Sequence, residues 1–110
     1  MTLTDKTGAP VTVSRKPHEF SIDVEGKTVG RAEFTERDGQ RVFYHTEVDD
    51  DFGGRGLGTA VISEALAATR ADGLRIVAVC PMVSAYVKKH HDFDDLVDPP
   101  TPEILQQHPQ

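Results

Sequence analysis

The first half of the chain alternates apolar and polar residues with the two-residue period of β-strands. The alternation is cleanest over residues 20–24 and continues over residues 28–35 and 41–48. Because every second side chain of a strand faces the same side of a sheet, each run predicts a half-buried strand. The runs are joined by Glu25-Gly26-Lys27 and by Asp38-Gly39, which are tight-turn signals. These features predict an antiparallel meander of three strands.

The second half changes to a helical period and then to a continuous apolar run. Residues 57–71 place apolar side chains on one face at helical spacing, which predicts an amphipathic helix that ends at Asp72-Gly73. Residues 74–80 are almost entirely apolar, as expected of a strand covered on both faces and parallel to residues 41–48. Residues 82–90 return to helical spacing. The order of these elements predicts an α+β fold with a mixed sheet.

The two ends of the chain lack such periodicity. Residues 1–16 predict a flexible N-terminal tail, from which residues 11–13 could add an edge strand. Prolines at the start of residues 98–110 predict a second tail that holds at most a short helix. Between the tails, residues 17–97 form a single predicted domain, since a chain of 110 residues supports one hydrophobic core.

Glycines concentrate between the third predicted strand and the first predicted helix. Four of the nine glycines fall within six positions, in Gly53-Gly54-Arg55-Gly56-Leu57-Gly58, which we call the glycine loop. The first N–H groups of a helix have no intrahelical partner and carry partial positive charge, and glycines let an anion approach them closely. The loop is therefore suited to a pyrophosphate, although glycine clusters also form plain turns. Neither the Walker spacing nor the Gly-x-Gly-x-x-Gly dinucleotide spacing is present.

The glycine loop and the strand before it resemble the acetyl-CoA motif of the Gcn5-related N-acetyltransferases. In that family a strand ending in Val is followed by four residues and then by Gln/Arg-x-x-Gly-x-Gly/Ala, and here Val48 is followed by Asp49-Asp50-Asp51-Phe52 and the glycine loop. Gly53 stands where the family has its first Gln/Arg, and Arg55 could supply that charge. The resemblance implies acetyl-CoA as cosubstrate, bound by Val48, Gly53, Gly54, Arg55, Gly56, Leu57, Gly58 and Thr59.

The resemblance extends over residues 20–97. Ala85-Tyr86-Val87-Lys88 resembles a tyrosine-bearing segment of the family, whereas His45-Thr46-Glu47-Val48 and Cys80-Pro81 resemble its very small acetyltransferase-like members. The implied fold is a mixed α+β sheet in which an antiparallel meander is followed by glycine loop, helix, strand and helix. Larger relatives insert helices between the first two strands, and here only a turn fits there. The resemblance therefore implies that the acceptor half of the site is open or differently built.

Four side chains are candidates for the chemistry of acetyl transfer. An amine attacks only when neutral, and Glu47 is the first candidate for the general base, with His45 second. Strand alternation predicts that Phe43, His45 and Glu47 share one face. The resemblance assigns protonation of the leaving CoA thiolate to Tyr86, for which a core tyrosine is the alternative. Cys80 could accept the acetyl group as a nucleophile, or it could be a small buried apolar residue.

Composition excludes several other classes of protein. A net charge of −6 argues against nucleic-acid binding and favours a cationic acceptor such as an amine or a basic peptide. No apolar run approaches the roughly 20 residues that span a bilayer, and we expect no secretory signal, because Met1-Thr2-Leu3-Thr4-Asp5 has no basic segment followed by an apolar one. The single cysteine fits a reducing compartment, so we expect a cytoplasmic protein. Asp49-Asp50-Asp51 and His90-His91-Asp92 are interpreted as solvated segments, and no metal is predicted.

These observations predict an acetyl-CoA-dependent N-acetyltransferase whose amine acceptor the sequence does not identify. One alternative is a CoA- or acyl-CoA-binding module without turnover. The other is an adaptor on the same fold in which the glycine loop is only structural.

Overall fold

The alternating first half folds into paired strands in the computed structural model, which describes residues 3–4, 8, 10–53 and 56–107. The strands of these residues are β1 Leu3–Thr4, β2 Pro10–Lys16, β3 Glu19–Val24, β4 Lys27–Arg37, β5 Gln40–Val48, β6 Arg75–Ala78 and β7 Val97–Asp98. The helices are α1 Leu57–Ala71, α2 Pro81–Lys89 and α3 Pro102–Gln107, with 3₁₀ segments at Asp50–Phe52 and His91–Leu96. The predicted order of meander, loop, helix, strand and helix is confirmed.

Two tight turns set the register of the meander. Glu25 and Gly26 have φ angles of 51° and 85°, and Asp38 and Gly39 have φ angles of 50° and 79°. Two successive residues with positive φ form the turn whose twist matches that of the flanking strands. Both turns were predicted from these residues, because glycine adopts positive φ without steric cost.

The sheet is mixed, as predicted. Its strands lie in chain order from β1 to β7. The pairs are antiparallel as far as β5, whereas β5–β6 and β6–β7 are parallel. The main core packs α1 and α2 against one face, and a smaller cluster of Val42, Val77, Val79 and Ile104 lies on the other. None of the helices in the described part of the chain is long and apolar enough to cross a membrane.

Both predicted tails contain segments that belong to the fold. Pro10–Lys16 forms β2, which pairs with β3 from Val11 to Lys16. The strand that residues 11–13 could add is therefore present and longer than predicted, and the prediction of a flexible tail does not hold for this segment. Its polar alternate positions face solvent and weaken the apolar pattern. In the other predicted tail, Ile104 of α3 is only 2% exposed and packs with Val42 and Val77. β7 was not predicted, because a strand of two residues has no periodicity.

A buried arginine fastens α1 to the sheet. Arg41 of β5 has no exposed surface. Its Nη2 donates to Glu36 at 2.8 Å and to Asp72 at 2.9 Å, and its Nη1 donates to Thr69 at 3.2 Å. Its guanidinium carbon lies 4.8 Å from the centre of the Phe34 ring. The hydrogen bond from Arg41 holds the pKa of the Asp72 carboxyl below its usual value.

Candidate active site

β5, the strand before the glycine loop, pairs with β6 over only the first half of its length. Pairing of β5 with β6 ends at Phe43 and Ala78. The carbonyl oxygen of Phe43 then accepts hydrogen bonds from the N–H groups of Val79, at 3.0 Å, and Cys80, at 2.9 Å, and the chain turns into α2. In the described part of the chain, residues 45–48 pair with β4 alone. One edge of β5 is therefore open just before the glycine loop.

The hydrogen-bond register indicates which main-chain groups of β5 face this open edge. The N–H group of Asp49 donates to the carbonyl oxygen of Val29 at 2.7 Å, so these two residues form a hydrogen-bonded pair. Hydrogen-bonded and non-hydrogen-bonded pairs alternate along an antiparallel ladder, which assigns Thr46 and Val48 to non-hydrogen-bonded positions. The N–H and C=O groups of Thr46 and Val48 therefore point away from β4, toward the open edge.

A bulge in β5 changes the predicted faces of the strand. Glu33 of β4 pairs with His45 and Phe34 pairs with Phe43, so Tyr44 is an extra residue without a partner across the ladder. Phe43 consequently packs in the main core with α1, whereas Tyr44 packs with the smaller cluster on the opposite face. The prediction that Phe43 shares a face with His45 and Glu47 is wrong, because one inserted residue reverses the alternation.

The glycine loop leads from β5 to α1. The N–H group of Gly53 donates to the carbonyl oxygen of Asp50 at 3.1 Å and closes the 3₁₀ turn. Gly54 and Arg55 lie outside the described residues. Gly56 has a φ angle of 77°, a conformation that favours glycine, and it directly precedes α1.

The start of α1 has the properties of an anion site. The first helical hydrogen bond runs from the N–H group of Ala60 to the carbonyl oxygen of Gly56, at 3.0 Å, so the N–H groups of residues 57–59 precede the helical ladder. The first turn contains no acidic residue. The partial positive charge of the helix start is therefore not offset from within the helix.

A cavity of about 290 Å³, the loop cavity, lies against the glycine loop. Its lining residues are Val48, Phe52, Gly53, Gly56, Leu57, Gly58, Thr59 and Met82. They include every predicted cofactor contact that the structure describes. Phe52 and Met82 were not predicted. A Cβ atom on Gly58 would lie 2.9 Å from the Cε of Met82, so α1 and α2 approach closely here. Met82 is far from the loop in sequence, and only the packing of α2 reveals its contribution.

Charges of both signs surround the loop cavity. Asp49, Asp50 and Asp51 are exposed beside it, as predicted for a solvated turn. Lys27, the first residue of β4, places its Nζ 5.5 Å from the centre of the Phe52 ring. Because Phe52 lines the cavity, Lys27 brings a cation to the side of the glycine loop from another strand.

His45 and Glu47 lie together on the outer face of β5. His45 Nε2 is 3.1 Å from Glu47 Oε2, and Arg31 Nη2 is 2.7 Å from Glu47 Oε1. Arg31 Nε also lies 3.2 Å from Glu33 Oε2, and the same Glu33 oxygen lies 4.0 Å from His45 Nε2. The hydrogen bond with His45, followed by the charge of Arg31, holds the pKa of Glu47 below its usual value. Glu47 is therefore an anion that positions its neighbours and is a weak proton acceptor.

Cys80 lies on the opposite side of β5 from this pair. It is 3% exposed, and its Sγ donates a hydrogen bond to the hydroxyl oxygen of Thr46 at 3.4 Å. The thiol is therefore enclosed by the fold and held by a neutral hydroxyl group. Cys80 directly precedes α2. Its contact with Thr46 places it next to the open edge of β5, at the end of the sheet where the loop cavity lies.

Tyr86 lies in a groove between α1 and α2. This helix groove, of about 280 Å³, is lined by Thr59, Ile62, Met82, Ala85, Tyr86, Lys89 and His90. The Tyr86 ring stacks 4.5 Å from the His90 ring, centre to centre. Thr59 and Met82 line both the groove and the loop cavity, so the two spaces adjoin. The structure does not bring Tyr86 together with His45 and Glu47, which face away from the helices.

The parted strands, the glycine loop and the helix that follows define an acetyltransferase-type α+β fold. Residues 19–96 match the family model of the GCN5-related N-acetyl-transferases. The chain belongs to this family, and the resemblance predicted from the glycine loop is confirmed.

Solved structures share this fold. A GCN5-like protein from Staphylococcus aureus superposes with a TM-score of 0.64 and 22% identity, covering 83% of this chain and 91% of that chain. The ribosomal-protein-S18-alanine N-acetyltransferase of Escherichia coli superposes with a TM-score of 0.52 and 18% identity, covering 57% of this chain and 42% of that chain. At these identities the likeness concerns the fold. No curated protein matched the sequence.

Proposed function

We propose that the chain transfers the acetyl group of acetyl-CoA to an amine. The observation that carries this proposal is the loop cavity, because a free helix start, glycines and the open edge of β5 meet there. The pyrophosphate would bind the N–H groups of residues 57–59, and Lys27 would supply positive charge that Gly53 lacks. The pantetheine chain would lie along the open edge, where Thr46 and Val48 offer main-chain hydrogen bonds.

The N–H group of Val48 is the proposed donor to the carbonyl oxygen that becomes negative during transfer. The N–H group of Asp49 cannot serve, since it already donates to Val29 at 2.7 Å. A main-chain donor fixed by a sheet stabilises the developing charge without reorganisation. This role is expected of the backbone, so substitution of the Val48 side chain by another β-branched residue should leave it intact.

His45 is the proposed proton acceptor, and Glu47 is the residue that positions it. A lysine-like amine with a pKa of about 10.4 is neutral in about one molecule in 2,500 at pH 7, so a base assists the reaction. Because Glu47 is held as an anion, it favours the His45 tautomer with a proton on Nε2, which leaves Nδ1 free to accept the proton of the amine. The outer face of β5 would then be the acceptor side.

Binding is tested by thermal unfolding of the chain with acetyl-CoA, CoA, ATP and NAD in parallel. Acetyl-CoA at about 100 times its dissociation constant should stabilise the fold by about 2.7 kcal/mol. The proposal expects stabilisation by acetyl-CoA and CoA and none by ATP or NAD. If ATP stabilised the fold as much as acetyl-CoA does, the loop cavity would be a general phosphate site and not one specific for CoA.

Transfer is tested by release of free CoA with a panel of primary amines. We expect His45→Gln and Glu47→Gln to lower kcat, because the first change removes the proton acceptor and the second removes the carboxylate that orients its ring. His18→Gln is the matched control, since His18 lies at the turn between β2 and β3. Binding of acetyl-CoA with no turnover on any amine would favour the non-catalytic binding module instead.

Mass spectrometry of the intact chain distinguishes direct transfer from a route through an acetylated Cys80. If Cys80 carried the acetyl group, acetyl-CoA alone would transfer one acetyl group to the chain, with CoA leaving as the thiol. Cys80→Ser keeps a hydrogen bond to Thr46 and removes the thiol. Direct transfer predicts no acetylated chain and retained activity in Cys80→Ser, whereas an acetyl-cysteine route predicts an acetylated wild type and an inactive variant.

A further inference from the structure

A further cavity lies on the other side of α2 from the loop cavity. This edge cavity of about 480 Å³ is bounded by α2, β6, β7 and the segment that leads to α3. α2 separates it from the helix groove, since Ser84, Val87 and Lys88 face the edge cavity whereas Met82 and Lys89 face the groove. Its volume is in the range of about 300–1,000 Å³ that is typical of small-molecule sites.

The body of the edge cavity is apolar. Ala78 of β6, Val87 of α2 and Val97 of β7 form its walls, and Pro99 and Pro100 close one side. Val87 and Val97 pack against the main core, so these walls are held in place by the fold. An apolar portion of a ligand would therefore be removed from water without rearrangement of the sheet.

The negative charges that line the cavity already have partners. Asp98 binds Arg75 through both carboxylate oxygens, at 2.9 and 2.8 Å, and accepts a hydrogen bond from Gln40 at 2.9 Å. Asp94 lies 2.9 Å from His91 Nδ1. A cationic ligand would have to displace Arg75 or His91 from these carboxylates.

The positive charge of Lys88 has no such partner. Within residues 10–53 and 56–107, the Lys88 ammonium forms no ion pair or hydrogen bond with protein. The Ser84 hydroxyl lies on the same lining and can also donate a hydrogen bond. The uncompensated charge of Lys88 and the Ser84 hydroxyl donor are complementary to a carboxylate.

From these features we infer that the edge cavity binds a small monocarboxylate with an apolar body. Its carboxylate pairs with Lys88 and accepts a hydrogen bond from Ser84, and its hydrocarbon part packs between Val87 and Val97. This site is separate from the loop cavity and does not depend on the proposed acetyl transfer.

Hexanoate is the probe, with hexylamine and hexanol as probes of equal chain length and different head group. Titration into the ¹⁵N-labelled chain should move the backbone amide signals of Ser84, Lys88 and Val97 saturably with hexanoate. Lys88→Gln should weaken hexanoate binding about three- to tenfold, as one charge-assisted contact at a partly exposed site. Lys89→Gln is the matched control, because the adjacent lysine faces the helix groove.

A second variant tests the cavity itself. Ser84→Leu fills apolar space on α2 with a residue that favours helix, so the chain should fold and hexanoate binding should be lost. The inference is overturned if hexylamine or hexanol binds as tightly as hexanoate, or if Lys88→Gln binds hexanoate like the wild type. Shifts confined to residues of the loop cavity would overturn it as well.

Discussion

Replacing Arg41 by methionine tests how much stability comes from the buried link between β5 and α1. Methionine has a similar length and no charge, so the variant keeps much of the packing and loses the hydrogen bonds to Glu36, Thr69 and Asp72. Breaking a fully buried ion pair costs roughly 3–5 kcal/mol, mainly because a charge is left behind in the interior. Here the side chains of Glu36 and Asp72 are 46% and 29% exposed and can be rehydrated.

The expected loss for Arg41→Met is therefore below that range, about 2 kcal/mol of the free energy of unfolding. For a chain of this size it corresponds to a fall in Tm of about 8 °C. Arg41→Ala also empties a fully buried position, so its loss should be larger, about 4 kcal/mol. Urea unfolding followed by circular dichroism measures both variants.

Arg15→Met is the matched control for the Arg41 variants. Arg15 binds the same Asp72 carboxylate at 2.7 Å, but its side chain is 50% exposed. Because exposed ion pairs contribute little, this variant should unfold almost like the wild type. The reasoning is refuted if Arg41→Met is as stable as the wild type, or if Arg15→Met loses as much as Arg41→Met.

Three further predictions concern packing and ionisation. Gly30→Ala should lower the free energy of unfolding by about 1–3 kcal/mol, measured in urea, because its Cβ would lie 2.8 Å from the carbonyl oxygen of Glu47. Ile104→Ala should cost about 2–3 kcal/mol since Ile104 is 2% exposed, whereas Leu105→Ala, at 45% exposed, should cost little; equal losses would contradict the packing of α3. Burial, followed by nearby acidic side chains, raises the pKa of Tyr44. Its contribution to stability is therefore fully present below pH about 10 and is lost as the pH rises through the folded-state pKa, so above pH about 10 the free energy of urea unfolding of the wild type should fall relative to that of Tyr44→Phe.

Local chemistry made much of the fold predictable. The α1 helix was predicted with the bounds Leu57–Ala71 that the structure has. A long segment with helical periodicity that ends at Asp72-Gly73 is compatible with few other secondary structures. The two turns of the meander followed from Gly26 and Gly39. The described residues of the glycine loop also lie where its motif predicted, although their contacts with a cofactor stay a prediction.

The features that sequence reasoning missed depend on contacts between distant segments. A one-residue bulge at Tyr44 leaves no mark in the pattern, yet it decides which side of β5 carries His45. An arginine in a strand is expected to be a surface charge, and only the partners of Arg41 on β4 and at the end of α1 account for its burial. The edge cavity is assembled from α2 and the segment after β7, so no single stretch of sequence indicates it.

The measurement that tests the loop cavity most directly compares acetyl-CoA binding by Thr59→Glu and Ala67→Glu. Both positions are exposed on α1, but only Thr59 lines the loop cavity. Thr59 is the third residue of the helix, where glutamate is favourable, so Thr59→Glu should fold as well as the wild type.

With acetyl-CoA at about 100 times the wild-type dissociation constant, the wild type and Ala67→Glu should gain about 10 °C in Tm. Thr59→Glu should lose most of this gain, because its carboxylate occupies the position proposed for the pyrophosphate. A full gain in Thr59→Glu would contradict the placement of acetyl-CoA at the glycine loop. No gain in the wild type would contradict acetyl-CoA binding itself.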